Sequence, residues 1–336
     1  MSAKLVTALV PTHNDLELLE RTLPPLADAP NVEVVIVNND PSQDVRTWAD
    51  EHFPDARVIE MGFDAGYARG MNAAIAQTEG EFVLLLDSDV FLGTSYISEM
   101  VRFFAAHPRA GCAGGKLFRY DLAADRQTDV LDTTGVRLGR SRRVISRGEG
   151  ERDLGKYDRA EQLFGVDGAG MFVRRSALDS IAVDGEYFDS SFFMHKEDTD
   201  LCWRFRLAGW EVWYVPSAVG GHGRTTSGLG DRRYITSIPA YHRNERRKRP
   251  LVRLHAMKNQ WLLLTKNEDR HNFVRDFPFI VGRESMVLLY NCIFAPATLA
   301  AVRDYARLFR PTIRKRRLIK QRQVVAPVDI RCWLGT

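Results

Sequence analysis

Four short apolar segments near the start of the chain constrain its fold more than any other feature. They lie at residues 5–10, 32–37, 57–61 and 81–86, and helical or small-residue stretches separate them. Continuous apolar runs of this length are typical of strands that are buried on both faces. Strands that alternate with helices at this pace predict an α/β domain, with a mostly parallel central sheet and helices on both of its faces.

The pattern becomes less regular after residue 90. Residues 139–158 are rich in Arg, Gly and Glu, which predicts a mobile loop. Residues 197–209 predict a helix and residues 211–215 a final strand. The Gly-rich residues 220–230 predict a loop and a candidate lid.

The composition is that of a globular chain, with 336 residues of which 45% are hydrophobic and 27% charged. This length predicts one large domain or two medium ones. The start of the chain runs directly into the first strand without a signal peptide, so we expect a cytoplasmic protein. The cysteines lie far apart and form no CxxC pair, which argues against a disulfide scaffold or a zinc ribbon. They are Cys112, Cys202, Cys292 and Cys332.

Positive charge is concentrated in the last third of the chain. Residues 303–322 contain nine Lys or Arg and one Asp, and residues 243–253 contain six Lys or Arg and one Glu. Such asymmetry indicates a polyanionic partner, either a nucleic acid or an anionic membrane. The alternative is a helix face that is simply solvated.

An uncharged segment beside this basic region favours the membrane. Residues 286–302 carry no charge over seventeen positions, but Asn291 and Pro296 interrupt them. A spanning helix needs about 20 mostly apolar residues, so we expect interfacial helices followed by a basic anchor. A helix buried against the main domain is the alternative. We therefore expect a peripheral protein on the inner face of the cell membrane, and no nucleic-acid partner.

Polar residues follow each predicted strand of the first half. In open α/β sheets, ligands bind beyond the carboxyl ends of the strands, which here are residues 12–14, 38–40, 62–64 and 87–89. No GxGxxG and no GxxxxGK[ST] motif is present, so a dinucleotide site or a P-loop is not supported.

Asp87 and Asp89 close the most apolar strand, with Ser88 between them. Hard divalent cations prefer oxygen ligands and often share them with phosphate groups. This pair therefore predicts a Mg²⁺ or Mn²⁺ site that faces a diphosphate. The alternative is that Asp89 only begins a turn.

Glu197, Asp198, Thr199 and Asp200 stand at the start of a predicted helix. A carboxylate mounted there can act as a general base towards a hydroxyl group. The alternative is a helix cap with acidic residues that complement the helix dipole.

His222 stands between glycines and is followed by Arg224. The imidazole is a candidate metal ligand, and the guanidinium is a candidate partner for phosphate. The alternative is a loop histidine that has no partner.

Seven segments, in order along residues 5–227, resemble the inverting bacterial glycosyltransferases of family 2, which have the GT-A fold. They are ALVPTHND, VVIVNND, MGFDAGYARGMNAAI, FVLLLDSDV, VDGAGMFVRRSAL, FDSSFFMHKEDTDLCWRFRLAGW and GGHGRTTS. KNQWLLLTKN and the tail RPTIRKRRLIKQRQVV are similar to rhamnosyltransferase-like members, which act on lipid-linked or cell-envelope glycans. We therefore expect a GT-A domain at residues 1–265 and a helical, membrane-associated region at residues 266–336.

The resemblance also implies roles for individual residues. Asp198 would be the base, with Glu197 beside it, and Asp87, Asp89 and His222 would hold Mg²⁺ or Mn²⁺. The candidate donor-binding residues are Pro11, Thr12, Asn14, Asn38, Asp64, Arg69, Asn72, Asp87, Ser88, Ala169 and Gly170.

The implied reaction moves a sugar from a nucleoside diphosphate to a hydroxyl of a lipid-linked (polyprenyl-linked) or cell-envelope glycan, with inversion in a single displacement. Rhamnose is the sugar that the resemblance favours. One alternative is a nucleotidyltransferase, although the usual Gly-rich, basic loop after the first strand is absent. The other is a non-catalytic protein that binds glycan or nucleic acid through the basic tail.

Overall fold

A computed structural model describes residues 4–224 and 238–335 of the chain. In this part the strands are β1 (Val6–Thr12), β2 (Val32–Asn38), β3 (Arg57–Glu60), β4 (Phe82–Leu86), β5 (Val90–Leu92), β6 (Ala110–Asp121), β7 (Arg126–Thr133), β8 (Val136–Leu138), β9 (Val144–Ser146), β10 (Glu161–Gln162), β11 (Gly170–Arg174) and β12 (Glu211–His222).

The helices of the same residues flank the sheet and then form the C-terminal region. They are α1 (Leu16–Thr22), α2 (Pro24–Ala27), α3 (Val45–His52), α4 (Gly66–Ile75), α5 (Tyr96–Ala106), α6 (Arg175–Ile181), α7 (Glu197–Leu207), α8 (Ile238–Arg247), α9 (Pro250–Asn267), α10 (Arg270–Phe294), α11 (Ala300–Arg322) and α12 (Pro327–Ile330). Short 3₁₀ helices occupy Pro296–Leu299 and Arg331–Trp333.

The central sheet has the strand order β10-β12-β6-β11-β4-β1-β2-β3, with β5 paired to β12 and β7 paired to β6. The half formed by β4, β1, β2 and β3 is parallel, as the alternation of strands and helices predicts. The sheet as a whole is mixed, because β11 enters antiparallel between β4 and β6. This antiparallel entry brings a later part of the chain to the carboxyl edge of β4.

Both faces of the sheet are buried, which explains the continuous apolar runs of the sequence. In β4, Leu84 and Leu86 face one hydrophobic cluster, which is shared with α1 and α5. Val83 and Leu85 face a second cluster, which is shared with α4, α6 and α7. Each residue of β4 is therefore buried regardless of the side to which it points.

The predicted mobile loop at 139–158 is instead largely anchored. Its β9 pairs antiparallel with β8, which lies just before it, with Val136 opposite Ser146. Arg142 is fully buried, and its guanidinium bonds Glu268 and Asp276 from the C-terminal region. The charged composition of this segment predicts that it is exposed to solvent. Arg142 is buried instead, because Glu268 and Asp276 neutralise its charge.

The prediction of a loop at residues 220–230 is wrong for residues 220–222, which form the end of β12. The glycines allow close strand packing, because a Cβ at Gly221 would lie 2.7 Å from the Cδ2 atom of Tyr120. The rest of that prediction, at residues 225–230, lies outside the described residues.

The C-terminal helices pack on the sheet domain through polar contacts. The predicted boundary at 265/266 falls within α9. Lys266 bonds Asp189 and Asp200, with Nζ–Oδ2 distances of 2.6 and 2.9 Å. Asn267 donates to the Oδ1 atom of Asp200 at 2.7 Å. The end of α9 is therefore tied directly to α7.

Helix α10 has a polar inner face and an apolar outer face. Asn272, Asp276 and Asn291 are buried against the protein. Its exposed large apolar residues are Val274, Phe277, Phe279, Val281, Met286, Leu288, Leu289, Ile293 and Phe294. Within the described ranges, α10 is the one helix that is long and apolar enough to cross a membrane, with a mean hydropathy of 1.2 in its most apolar window.

Candidate active site

Asp87 and Asp89 lie at the carboxyl edge of β4. The backbone N–H of Asp87 donates to the carbonyl oxygen of Ala169 at 3.2 Å. The hydroxyl of Ser88 donates to one carboxylate oxygen of Asp15, and the hydroxyl of Thr12 donates to the other. Asp15 therefore fastens the end of β1 to the Asp87–Asp89 turn, a role that no sequence motif indicates.

Asp87, Asp89 and His222 form a group in which one ligand atom from each lies within 4.8 Å of the others. The Nε2 atom of His222 is 3.3 Å from Oδ1 of Asp89. Antiparallel pairing of β12 with β5, which sets His222 opposite Val90, brings these residues together. Two carboxylates and an imidazole are a suitable ligand set for Mn²⁺ or Mg²⁺.

The electrostatics of this group also fit a cation. Burial and the neighbouring charge of Asp89 raise the pKa of Asp87 to about 7. Burial alone would lower the pKa of His222, but hydrogen bonds to Asp132 and Asp89 raise it to about 10. The cluster thus holds carboxylates that benefit from added positive charge, and a bound cation must displace the imidazolium proton.

Asp132 orients His222 and was missed by the sequence analysis. Its buried carboxylate accepts from Nδ1 of His222 at 2.9 Å and from Nε of Arg224 at 2.5 Å. The first bond leaves Nε2 of His222 directed at Asp89, which is how a carboxylate typically positions a metal-binding histidine. Arg224, a predicted partner of phosphate, is paired with Asp132 in this structure. Asp132 lies in β7 within no recognisable motif.

Asp198 lies in the first turn of α7 and is held by three donors. Its Oδ1 accepts from the backbone N–H of Thr199 at 2.6 Å and from the Thr199 hydroxyl at 3.2 Å. Its Oδ2 accepts from the backbone N–H of Gly168 at 3.2 Å. Burial and the charge of Asp167 raise the pKa of Asp198 to about 6, so the group is mostly ionised at neutral pH.

Glu197 and Asp200 differ from Asp198 in their surroundings. Burial and the charge of Asp198 raise the pKa of Glu197 well above its usual value, which favours its neutral form. Asp200 is fully buried and bonds Arg204 and Lys266. Of the acidic residues in this motif, Asp198 is therefore the one suited to accept a proton.

The candidate base and the candidate metal ligands share one cleft, because both contact the turn before β11. Asp198 accepts from the backbone N–H of Gly168, and the N–H of Asp87 donates to the carbonyl oxygen of Ala169. Burial raises the pKa of Tyr67 well above its usual value, and so do the charges of Asp87, Glu197, Asp198 and Asp167 around it. Asp167 was not predicted. It lies in the turn before β11, and antiparallel pairing of Gly170 with Leu86 sets that turn beside the end of β4.

Asn38 and Asn72, like Thr12 and Ser88, use their side chains for bonds within the protein. The amide of Asn38 donates to Oε2 of Glu60 at 2.7 Å and accepts from the backbone N–H of Asp40 at 2.8 Å. The amide of Asn72 donates to the carbonyl oxygen of Phe188 at 2.7 Å. These side chains therefore shape the cleft wall.

The other predicted donor-binding residues lie around the same edge of the sheet. Thr12, Ala169 and Gly170 are buried and Pro11 is partly buried, whereas Asn14, Asp64 and Arg69 are exposed. The carbonyl oxygen of Gly170 accepts a hydrogen bond from the Tyr96 hydroxyl at 2.5 Å. The exposed residues at the rim thus retain groups that can contact a ligand.

The chain matches sequence relatives with moderate identity. The chain is 28% identical over 238 residues to N-acetylglucosaminyl-diphospho-decaprenol L-rhamnosyltransferase of Mycobacterium tuberculosis (strain ATCC 25618 / H37Rv), a match that covers 62% of this chain and 73% of that protein. It is 27% identical over 231 residues to the uncharacterized protein y4gI of Sinorhizobium fredii, covering 66% of this chain and 25% of that protein. The chain thus spans only a quarter of the second relative.

The fold is similar to those of known glycosyltransferases. The mannosyltransferase PcManGT from Pyrobaculum calidifontis, in complex with GDP-Man and Mn²⁺, matches with a TM-score of 0.51 and 16% identity, covering 99% of this chain and 88% of that one. GalNAc-T7 with UDP, GalNAc and Mn²⁺ matches with a TM-score of 0.57 and 12% identity, covering 79% of this chain and 48% of that one. Both comparisons support a GT-A fold.

A family model matches most of the chain. The model described as glycosyltransferase like family 2 covers residues 3–250, which include the whole sheet and α7. The chain therefore belongs to glycosyltransferase family 2.

Proposed function

We propose that this protein transfers a sugar from a nucleoside diphosphate to a hydroxyl of a lipid-linked glycan, with inversion at the anomeric carbon. The observation that carries the proposal is that Asp198 and Asp87 bond adjacent residues, Gly168 and Ala169, and that Asp87 belongs to the Asp87–Asp89–His222 group. Membership of the family favours glycosyl transfer over nucleotidyl transfer and over a purely binding role.

In this mechanism Asp198 accepts the proton of the acceptor hydroxyl as the oxygen attacks the sugar. Hydrogen bonds from Thr199 and Gly168 hold the carboxylate in place, so little reorganisation is needed during proton transfer. A single displacement needs no covalent sugar–enzyme intermediate. Glu197, whose raised pKa keeps it neutral, can donate a hydrogen bond beside the base.

Asp87, Asp89 and His222 would hold a divalent cation, and Asp132 would keep the His222 ring in its binding orientation. Such a cation neutralises the charge that grows on the leaving nucleoside diphosphate. The Mn²⁺ present with PcManGT and GalNAc-T7 supports a cation of this class. The ligand set suits Mg²⁺ as well as Mn²⁺.

For the substrates, we propose dTDP-rhamnose as donor and a polyprenyl-diphosphate-linked sugar as acceptor. The support is the 28% identity with a rhamnosyltransferase whose name gives a diphospho-decaprenol acceptor. The exposed apolar face of α10 further supports a membrane-bound acceptor. Residues 1–265 would then form the catalytic domain and residues 266–336 the region that meets the inner face of the membrane.

A thermal-shift panel of UDP, dTDP, GDP and CMP, each with and without Mn²⁺, tests the donor site. A ligand at 100 times its Kd adds about 2.7 kcal/mol to the stability of the native state. We expect one nucleoside diphosphate to stabilise the protein only when Mn²⁺ is present. Asp89→Ala should abolish that Mn²⁺-dependent shift, whereas Asp129→Ala, at an exposed residue of β7, should retain it. If no nucleotide raises the melting temperature of a well-folded protein, the proposal fails.

A further inference from the structure

Arg224 stands beyond the end of β12, at the edge of the sheet that carries the candidate metal ligands. β12 runs parallel to β6, and β11 pairs antiparallel with both β6 and β4, so β12 and β4 end at the same edge. The backbone N–H of Gly223 donates to the carbonyl oxygen of Asp89 at 2.8 Å. The backbone that carries Arg224 is therefore fastened directly to the Asp87–Asp89 turn.

One buried carboxylate holds the side chains of His222 and Arg224 together. Asp132 is fully buried, and its Oδ2 accepts from Nδ1 of His222 while its Oδ1 accepts from Nε of Arg224. Because each oxygen serves a different residue, Asp132 cannot form the bidentate pair with Arg224 that uses two oxygens and two nitrogens. The ion pair therefore orients the guanidinium but engages only part of it.

The Nη2 atom of Arg224 is buried and has no hydrogen-bond partner in the described part of the chain. The side chain as a whole is only 13% exposed. A buried N–H donor without an acceptor is unfavourable, so this atom indicates a place for a further acceptor. Guanidinium nitrogens match the geometry of phosphate oxygens, which favours an anion of that class.

The neighbours of Arg224 identify which phosphate group this is. The Nε2 atom of His222 lies 3.3 Å from Oδ1 of Asp89, in the group that suits a divalent cation. Cations of this class usually keep phosphate oxygens of the substrate among their ligands. A diphosphate bound there comes next to the guanidinium, because Asp132 holds Arg224 beside His222.

We propose that Arg224 binds the diphosphate of the sugar donor through Nη2, and that Asp132 couples this contact to the metal site by holding Arg224 and His222 with one carboxylate. The inference rests on the proposed function. When the bond between the anomeric carbon and the diphosphate oxygen breaks, its electron pair stays on the diphosphate. The hydrogen bond from Arg224 stabilises that added negative charge without transferring a proton.

Isothermal titration calorimetry with inorganic pyrophosphate tests this contact. The full chain is titrated in the presence of Mg²⁺, and the binding of Mn²⁺ alone is measured separately. Arg224→Lys keeps a cation beside Asp132 but removes Nη2. We expect it to weaken pyrophosphate binding about tenfold or more, because a hydrogen bond from a buried charged donor is lost. The affinity for Mn²⁺ alone should remain that of wild type, which also shows that the variant is folded.

Arg152→Lys is the matched control for this substitution. Arg152 also pairs with an aspartate through Nε, at 3.0 Å from Oδ2 of Asp129, but both side chains are mostly exposed. It should change neither the pyrophosphate affinity nor the Mn²⁺ affinity. Asp132→Asn should instead weaken the binding of Mn²⁺ alone, because it loosens His222.

Two results would overturn the role of Arg224. One is pyrophosphate binding by Arg224→Lys that is as tight as that of wild type. The other is a loss of Mn²⁺ and pyrophosphate affinity by the same factor, since Arg224 would then act only through the metal site. Failure of the proposed function is distinguishable, because wild type itself would then show no Mn²⁺-dependent stabilisation by any nucleoside diphosphate.

Discussion

Asp198 and Glu197 are neighbours in sequence, yet their surroundings suit them to different tasks. Three donors stabilise the charge of Asp198, whereas the Oε2 atom of Glu197 is buried without a hydrogen-bond partner in the described part of the chain. The pKa values rise in both cases, because burial disfavours the charged forms. The ionised base and its neutral neighbour thus follow from hydrogen bonding rather than from residue type.

Replacement of Asp198 should remove base catalysis without disturbing the donor site. We expect Asp198→Asn to lower kcat by about 10²-fold or more, because the amide cannot accept the hydroxyl proton. The Mn²⁺-dependent nucleotide shift should remain that of wild type. Asp179→Asn, at an exposed site on α6, is the control. Turnover of Asp198→Asn at the wild-type rate would contradict the assignment.

The pH profile of the wild-type enzyme should report the same group. Burial and Asp167 raise the pKa of Asp198 to about 6, and the active form is the ionised one. We therefore expect kcat to be nearly constant above pH 7 and to fall about tenfold per pH unit below pH 6. Rates that stay constant down to pH 5 would argue against a carboxylate base with this pKa.

Asp132 should raise the affinity of the site for metal, although we do not expect it to be a metal ligand. Asp132→Asn keeps the shape of the side chain but weakens its hold on His222 and leaves Arg224 less well compensated. Loss of such an orienting carboxylate typically costs 10- to 100-fold in metal affinity. We expect a shift of this size in the Mn²⁺ concentration needed for nucleotide binding, and none for Asp129→Asn. An unchanged Mn²⁺ dependence would show that Asp132 has only a structural role.

At the scale of elements, two other parts of the chain hold the start of α7, one through Asp198 and one through Asp200. Antiparallel β11 positions the preceding turn that contacts Asp198, and α9 fixes the following turn through Lys266 and Asn267. The charges of Lys266 and Lys315 lower the pKa of Asp189 well below its usual range, although burial opposes this. That stabilisation is complete above the unfolded carboxyl pKa of about 4 and is lost as the pH falls towards the folded value.

Removal of Lys266 should therefore destabilise the whole protein. Lys266→Met leaves Asp189 and Asp200 buried with less countercharge, which typically costs about 3–5 kcal/mol. Lys320→Met, which breaks the more exposed pair with Asp269 at 3.4 Å, should cost about 1 kcal/mol or less. Urea unfolding of the two variants provides the comparison. A similar decrease in the free energy of unfolding for both variants would show that the contact between α9 and α7 does not stabilise the protein.

At the scale of the whole molecule, α10 carries more exposed large apolar side chains than any other element in the described part of the chain. Asn272, Asp276 and Asn291 of α10 are buried, and Asp276 bonds Arg140, Arg142 and Arg331, so contacts with the protein interior fix the helix orientation. Because the buried polar residues fix the inner face of α10, its large apolar residues lie on the solvent side. Such a patch usually marks a membrane or protein contact.

The membrane proposal predicts a selective loss of vesicle binding. The double variant Leu289→Glu, Ile293→Glu should lower co-sedimentation with anionic vesicles several-fold. Its free energy of unfolding should stay within about 0.5 kcal/mol of wild type, because both side chains are mostly exposed. Leu154→Glu, at another exposed leucine, is the matched control. Unchanged vesicle binding together with a smaller oligomer would instead identify the face as a contact between copies.

Much of the architecture followed from local pattern. The apolar runs predicted β1, β2, β3 and β4, and the acidic residues after β4 and at the start of α7 predicted the two chemical groups of the cleft. These features are visible because a buried strand or a helix start needs particular residues at adjacent positions. The family resemblance added the fold and the expected chemistry, and the fold and family comparisons confirmed both at the level of a glycosyltransferase.

Only the tertiary structure decided which distant residues complete the site. Asp132 lies in no recognisable motif, and Asp15 and Asp167 lie in family-like segments without a predicted role. Strand pairing or a turn contact brings each of them to the cleft. The tertiary structure likewise decided the orientation of α10, where Asn272, Asp276 and Asn291 face the protein and large apolar side chains face outwards. Strand order, register and helix orientation depend on packing across the entire chain. A local pattern can therefore specify an element and its polar end, but not which distant side chain will lie against it.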